Sequence, residues 1–257
     1  GPWLEAAQEA LRRSVITDNP DLARILCYTN RTLEHLVPIA RRALHGEMAD
    51  QLPVLPGEVL ISRQAVMAPA CREGEEEAEE PDMVLGSNRE LIVRDVTPER
   101  CDLADFGLAA VLEGPPPVID TLIARVDSGE SQLSLRLLPP LGSQARQSLD
   151  AVLRRLREGA REAGKQEGRA LWRRYFLVRD AFASLGPAAV LTVHRSQGST
   201  FGEVFVAADV FWPQDETLRR QLVYVAVSRA SQAVTLSAGN GSPADRQLWR
   251  TWFQEPS

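Results

Sequence analysis

The chain has 257 residues, enough for one large domain or two small ones, and 44% of them are hydrophobic and 25% charged. This balance is typical of a globular protein with a sizeable core and excludes general disorder. No apolar run approaches the roughly 18 residues of a membrane span, so the sequence predicts neither a transmembrane protein nor a membrane partner.

The net charge of −6 comes mostly from one acidic run. Residues 73–82 hold seven acids and no base, and the rest of the chain has 28 acids against 29 bases. Such a run is typical of a solvated loop, so charge neither supports nor excludes a polyanionic partner. Three cysteines without metal-ligand spacing favour a reducing cytoplasm, and no metal site is predicted. Because the sequence begins with Gly1 instead of Met, we expect a piece of a longer protein.

Apolar periodicity predicts an α/β domain interrupted by a β module. The first part is interpreted as a helix, a buried strand at 23–29 and a second helix. Several short strands with turn signals follow from about residue 50, and this pattern is typical of a small β barrel. Residues 143–184 are predicted to be helical, with a break between Gly159 and Gly168. The remaining predicted elements are strands at 188–194, 203–211 and 232–239 and helices at 215–230 and 242–253.

The segment GAREAGKQ (159–166) almost matches the phosphate loop GxxxxGK[ST]. Its last position is a glutamine, which has no hydroxyl for Mg²⁺, and it follows a polar helix instead of a buried strand. We therefore interpret it as a break in a charged helix, and no other phosphate loop is present in the sequence.

Two later segments contain residues that could bind a phosphate or assist phosphoryl transfer. The loop in LTVHRSQGSTFGEVFVAADV (191–210) offers hydroxyls and Gly198, whose backbone could approach a phosphate closely; the alternative is that these residues only form turns and caps. In QLVYVAVSRASQAVTL (221–236), Arg229 follows an apolar helix, where its permanent charge would suit a transferring phosphoryl group. A surface or helix-capping arginine is the structural alternative.

Together these segments resemble the C-terminal motor domain of superfamily 1 helicases, in the RecD/Dda-like 5′-to-3′ branch that includes the exodeoxyribonuclease V alpha-subunit type. TVHRSQGSTFGEV is similar to motif V, LVYVAVSRA to motif VI and ILCYTNRTLEHLVPIARRAL (25–44) to motif IV. The resemblance covers essentially the whole chain. It implies a RecA-like (P-loop NTPase-type) parallel sheet without its own Walker A loop, interrupted by a small SH3-like β barrel. The expected boundaries are 1–50 and 171–257 for the motor domain and 51–170 for the insertion.

The resemblance also implies residue roles. Arg229 corresponds to an arginine finger, and Arg41, Gln197, Gly198 and Thr200 to the ATP-binding cleft. The residues expected to face the nucleic-acid backbone are Thr29, Asn30, Thr192 and His194. The chain departs from the family at Thr200, where many relatives carry a glutamate expected to meet the ribose.

The implied function is ATP-driven translocation on single-stranded DNA and duplex unwinding in repair or recombination. The phosphate loop and the Mg²⁺ carboxylate would come from a first motor domain, so ATP and Mg²⁺ would be held mainly outside this chain; further repair subunits are possible partners. An alternative is a non-catalytic module that docks nucleic acid or protein. A hydrolase using His194 and a serine is a remote third hypothesis, because the chain has no GxSxG elbow.

The stretch 146–179 holds ten Arg or Lys residues interleaved with aromatic residues. It could contact a nucleic-acid strand, but long helices commonly show this composition on a solvated face, and we favour that interpretation.

Overall fold

The computed structural model describes residues 1–67, 83–110, 112, 114–129 and 131–237. The acidic run 73–82 and the predicted helix 242–253 lie outside these residues. The helices are α1 (Pro2–Ile16), α2 (Asn30–His45), α3 (Met48–Gln51), α4 (Gln144–Glu162), α5 (Lys165–Asp180) and α6 (Glu216–Val227). The strands are β1 (Ala23–Cys27), β2 (Val59–Ser62), β3 (Val66–Met67), β4 (Met83–Leu85), β5 (Glu90–Asp102), β6 (Val118–Asp127), β7 (Gln132–Arg136), β8 (Leu185–Pro187), β9 (Val190–Thr192), β10 (Phe201–Val206) and β11 (Ala230–Leu236). No helix in these ranges is long and apolar enough to cross a membrane.

The chain divides into two compact units, one formed by residues 1–52 with those from 187 onward and the other by residues 53–186. The first unit contains a parallel sheet with the strand order β11-β10-β1-β9. All five residues of β1 are buried, as the apolar run at 23–29 predicted. Ile25 pairs with Phe205 on one side and with Val190 on the other. The predicted α/β fold class is confirmed by this parallel sheet.

Helices α1 and α2 cover the sheet through small and branched apolar side chains. Ala7, Ala10 and Leu11 of α1 share one core cluster with Leu33 and Leu36 of α2. The strand residues of this cluster include Ala23, Ile25, Cys27, Val190 and Phe205. Alternate residues of β1 thus face the two helices, which fixes α2 against the strand that precedes it.

The second unit contains a sheet with the order β7-β6-β5-β2-β8 and a small β3-β4 pair. The two end strands of the larger sheet also meet, because the amide of Ala183 donates to the carbonyl of Arg136 at 2.7 Å and the amide of Leu138 donates back to Ala183 at 3.0 Å. A parallel bridge between Leu137 and Ala183 accompanies these bonds. These bonds join the end of β7 to the segment just before β8, while the assignment of the module as a small SH3-like β barrel stays a prediction.

The observed limits of the second unit differ from the predicted insertion, 51–170. The predicted boundary at 170/171 falls inside α5, and the structure places the change of unit at 186/187. The reason is that α5 packs through Val178 onto the core cluster that contains Leu149 and Leu156 of α4. Strand β8 then joins the same sheet as β2.

Segment 159–166 is a helical hairpin, as expected for a break in a charged helix. Helix α4 ends at Glu162, and α5 begins at Lys165 after the N-cap Gly164. A Cβ on Gly168 would lie 2.9 Å from the backbone oxygen of Ala160, so the two helices approach too closely there for any larger residue. The glycines serve helix packing and do not form a phosphate cradle.

Candidate nucleotide and nucleic-acid site

The carboxyl ends of β1 and β9 bring four of the predicted nucleic-acid residues to one edge of the parallel sheet. Strand β1 leads into Thr29 and Asn30 at the start of α2, and β9 ends at Thr192, two residues before His194. The strands stay joined beyond β9, since the amide of Val193 donates to the carbonyl of Cys27 at 2.8 Å. Asn30 and His194 are exposed, whereas Thr192 is buried.

Tyr28 belongs to the same edge, although the sequence did not single it out. Its ring centroid lies 6.3 Å from that of His194, and the two planes are tilted by 44°. Because β1 and β9 are adjacent and parallel, the residues just beyond their carboxyl ends meet in this way. The edge therefore presents two rings beside the exposed amide of Asn30.

A buried carboxylate that the sequence analysis missed organises this edge. Asp209 is 1% exposed and accepts hydrogen bonds from the amides of Tyr28 (3.0 Å) and Thr29 (2.8 Å) and from the Thr29 hydroxyl (3.1 Å). Thr29 also caps α2, because its hydroxyl accepts from the amide of Thr32 at 3.2 Å. The Thr29 hydroxyl is thus engaged within the fold, and Thr29 positions the start of α2.

The strand predicted at 203–211 ends earlier in the structure, before Asp209. Strand β10 ends at Val206, and Ala208–Phe211 forms a 3₁₀ helix that is held against β1 by the Asp209 carboxylate. The run is apolar to its end because Val210 is fully buried in that turn. An acid within an apolar run just past a strand is the signal that could have revealed it.

Burial raises the pKa of the Cys27 thiol to about 12, and the negative charge of Asp209 contributes to the shift. Cys27 therefore stays protonated at neutral pH. It is a core residue under the edge and not a nucleophile.

The connection between β9 and β10, residues 193–200, leads from the carboxyl edge of the sheet back to its amino edge. Its first turn is tight, because the amides of Arg195 and Ser196 both donate to the carbonyl of Thr192. The buried Ser196 hydroxyl donates to the carbonyl of Val193 at 2.8 Å. Gly198 has φ +88°, a conformation that favours glycine. The predicted nucleotide residues Gln197, Gly198 and Thr200 are all exposed on this connection.

Arg229 lies at the same amino edge. It follows α6 and directly precedes β11, and its carbonyl accepts from the amide of Phe201, the first residue of β10, at 2.8 Å. Its half-buried guanidinium donates through Nη1 to the carbonyl of Ser199 at 3.2 Å, through Nε to the carbonyl of Val225 and through Nη2 to the Ser228 hydroxyl. The structure thus brings Arg229 together with the Gly198–Ser199 turn.

Arg41 is placed differently from these residues. It is 9% exposed, and its two terminal nitrogens donate to the carbonyls of Ala49 (2.9 Å) and Leu52 (3.0 Å). The guanidinium thereby fixes the segment that follows α2.

The predicted residues therefore form two groups at opposite edges of one sheet. Thr29, Asn30, Thr192 and His194 are at the carboxyl edge, whereas Gly198, Thr200 and Arg229 are at or near the amino edge. Within the described ranges, no cluster of three His, Cys, Asp or Glu side chains is arranged to hold a metal ion.

Residues 187–237 match the family described as the UvrD-like helicase C-terminal domain. The matched segment includes β9, the 193–200 connection, α6 and Arg229, so it contains residues of both edges but not Thr29 or Asn30. The match supports a C-terminal domain of the superfamily 1 helicase type and, with the parallel sheet, confirms the predicted RecA-like fold class.

Among solved structures, the chain is similar to the crystal structure of Pif1 helicase from Candida albicans. The alignment has 11% sequence identity and a TM-score of 0.41, and it covers 98% of this chain. The chain spans 58% of the length of that protein. No curated protein sequence is significantly similar to the chain.

Proposed function

We propose that the chain is the C-terminal motor half of an ATP-dependent DNA helicase, with ATP at the amino edge of the parallel sheet and single-stranded DNA at the carboxyl edge. The observation that carries this proposal is the separation of the two residue groups onto opposite edges, joined by the 193–200 connection. The match of residues 187–237 to a helicase C-terminal domain supports it.

At the amino edge, Arg229 is proposed to act as the arginine finger. Its planar, permanent charge suits the negative charge on the phosphoryl oxygens in the transition state. The exposed backbone of Gly198 and the side chains of Gln197 and Thr200 would border the nucleotide. Arg41 is left with a structural role, because its guanidinium is buried and bonded to backbone carbonyls.

At the carboxyl edge, the exposed Asn30 and His194 would contact the DNA backbone, with Thr29 shaping the start of α2 and Thr192 supporting His194 from the buried end of β9. The rings of Tyr28 and His194 offer apolar surface for sugars or bases. The carboxylate at this edge, that of Asp209, is buried and engaged by the amides of Tyr28 and Thr29.

The 193–200 connection provides a physical route between ATP and DNA. One end follows Thr192 at the DNA edge, and the other contacts the Arg229 guanidinium through the carbonyl of Ser199. A shift of Arg229 towards ATP would alter this contact and move the turn that leads back to His194. We propose this segment as the coupling element of the motor.

The chain needs a partner domain for catalysis. A finger can accelerate phosphoryl transfer by about 10³–10⁵-fold, but only beside a phosphate cradle and Mg²⁺. We propose that a first motor domain supplies both, with 5′-to-3′ translocation and a role in repair or recombination as in the RecD/Dda-like branch.

A non-catalytic module that binds nucleic acid or protein is the second candidate. It is favoured by one observation, the packing of segment 159–166, the sole near-match to a phosphate loop in the sequence, as a helical hairpin. On this alternative the carboxyl edge still binds DNA, but Arg229 has no nucleotide to act on.

The test of the motor proposal is Arg229→Ala in the complete enzyme that contains the phosphate loop. We expect ATP turnover to fall by roughly 10³-fold or more while ATP binding changes little, because the finger acts mainly in the transition state. Arg220→Ala is the matched control, since Arg220 is exposed on α6 and pairs with Glu216. Near-normal turnover in Arg229→Ala would remove the finger assignment and favour the second candidate.

A further inference from the structure

Helix α5 of the second unit carries a line of cationic and aromatic side chains along its outer face. They follow one another at intervals of four, three, four and three residues, which places them in one row on a helix. These residues, here called the α5 stripe, are Lys165, Arg169, Trp172, Phe176 and Arg179.

The aromatic residues of the stripe form an exposed surface. Phe176 is 43% exposed, and Trp172 beside it is half-buried. Their ring centroids are 5.8 Å apart and the planes differ by only 26°, so the two faces are nearly parallel. Tyr175 meets both rings edge-on, each at 5.3 Å, and packs below them onto the core. The rings are thus held in place by a half-buried neighbour.

The side of α5 that adjoins the stripe packs against the rest of its unit. Val178 is fully buried, and Gly168, one turn before Trp172, packs directly against the backbone of Ala160 on α4. The exposed part of a helix fixed in this way normally carries charged residues. Here two large rings lie at the border between the packed and the exposed sides, and Phe176 leaves apolar area exposed to water.

The charged side chains of the stripe are all cations. Lys165 and Arg169 are exposed, and within the described part of the chain neither makes a salt bridge. The Arg179 guanidinium lies 4.7 Å from the Phe176 ring centroid and pairs with the neighbouring Asp180 at 2.6 Å. Glu167 lies two residues from both Lys165 and Arg169, which turns it away from the row.

We propose that the α5 stripe is a stacking platform for a single-stranded nucleic acid, separate from the carboxyl edge of the parallel sheet. Aromatic faces stack on bases whatever their sequence, and flanking cations neutralise the phosphates. Along the row the two rings are flanked by cations on both sides, so one strand could place bases at the rings and phosphates beside the cations. The choice of this ligand over an acidic protein segment rests on the proposed function.

The first experiment measures binding of a fluorescent oligo-dT strand to the full chain by anisotropy at low salt. The double variant W172A/F176A should bind at least about fivefold more weakly, because each lost base stack costs about 1–3 kcal/mol. Phe176→Tyr keeps an aromatic face and should retain near-original affinity. Trp212→Ala is the matched control, since Trp212 is a 62% exposed ring in the other unit. The urea midpoint of each variant shows whether a loss of binding is a loss of folding.

The second experiment tests the cations. Arg169→Gln should make the slope of log K against log salt shallower by about 0.7, the value for one phosphate contact on a single strand. Arg12→Gln removes an exposed arginine of α1 and should leave the slope unchanged. An unchanged slope in Arg169→Gln would overturn phosphate contact at the stripe.

Cross-linking to a strand that contains photoreactive thymine analogues separates this inference from the proposed function. Cross-links at Trp172 or Phe176 support the platform. Cross-links confined to Tyr28 and His194, with unchanged affinity in W172A/F176A, overturn the platform and leave the motor proposal standing. Cross-links confined to the α5 stripe support the platform and count against the proposed DNA edge. If an acidic polypeptide binds at the α5 stripe and the DNA strand does not, the platform is overturned in favour of a protein-docking surface.

Discussion

Asp209 shows how one buried side chain can position a candidate binding edge. Asp209 lies in the turn after β10, and its carboxylate accepts hydrogen bonds from two backbone amides and a hydroxyl in the turn after β1. Without it, those donors would be buried and unpaired at the point where α2 begins. The geometry of Tyr28, Thr29 and Asn30 therefore depends on a residue more than 170 positions later in the chain.

We predict that Asp209→Ala destabilises the first unit by at least about 2 kcal/mol, since each buried donor left unpaired costs about 1–3 kcal/mol. Asp209→Asn should cost less, because its amide oxygen can still accept. Urea unfolding measures both changes. Glu9→Ala, which removes an exposed carboxylate of the same unit, should change stability by no more than about 0.5 kcal/mol. Equal midpoints for Asp209→Ala and Glu9→Ala would contradict the anchoring role.

The Cys27 thiol gives a second prediction at this scale. Burial raises its pKa to about 12, so at pH 8.5 we expect alkylation at least about 100-fold slower in native buffer than in urea, where the thiol pKa is about 8.5. The folded state holds this proton more tightly, so the stabilisation is complete below about pH 8.5 and is lost as the pH rises towards 12. Mass spectrometry of the Cys27 peptide measures the rate, and equal labelling in both conditions would contradict the burial.

At the scale of elements, the α4–α5 hairpin shows that a glycine pattern can serve packing alone. The spacing of Gly159, Gly164 and Lys165 approximates a phosphate loop, yet the structure uses Gly164 as an N-cap and Gly168 as the contact point of two helices. A phosphate loop needs a strand before it so that its amides converge at a sheet edge. A helix precedes this segment, so its amides point along the helix axes instead.

Gly168→Ala should therefore destabilise the second unit by about 1–3 kcal/mol, because a Cβ there would lie 2.9 Å from a backbone oxygen that cannot move alone. Gly164→Ser is the control. Nothing lies within 4 Å of its added Cβ, its φ is −61° and serine is a favoured N-cap, so we expect a change of no more than a few tenths of a kcal/mol. Thermal unfolding distinguishes the two, and similar melting temperatures would contradict the close helix contact.

At the scale of the whole molecule, the parallel sheet separates two candidate binding groups that lie close together in sequence. His194 and Gly198 are four residues apart, but the 193–200 connection carries them towards opposite edges of the sheet. Under the proposed function, this arrangement would let one segment respond to ATP and to DNA without the two ligands meeting. We therefore expect a substitution at one edge to leave ligand binding at the other edge largely unchanged.

We predict that His194→Ala weakens single-stranded DNA binding by the chain, whereas Arg229→Ala does not. Binding should weaken with salt, with a log–log slope of about −0.7 for each phosphate contacted. His35→Ala, which removes another exposed histidine of the first unit, is the control. Filter binding over a salt series measures all three. No binding at low salt, or equal losses in His194→Ala and Arg229→Ala, would contradict the two-edge arrangement.

Local periodicity was sufficient to predict most elements of the first unit. The buried strand at 23–29, the helix after it and the Asp215 cap of α6 follow from residue patterns within one element. The TVHRSQGSTF and YVAVSRA segments likewise indicated the helicase resemblance, which the match of residues 187–237 supports. These inferences work because apolar spacing, caps and motifs are encoded by neighbours in the chain.

The contacts between segments that are distant in sequence could be seen only in the tertiary structure. The sequence could not show that Asp209 ends β10 early, that Arg41 is held by backbone carbonyls or that α5 shares a core cluster with α4, because each depends on partners brought close only by folding. The assignment of His194 and Arg229 to opposite edges was hidden for the same reason. Sequence order says which residues are neighbours in the chain, whereas the order and direction of paired strands determine which edge each residue occupies.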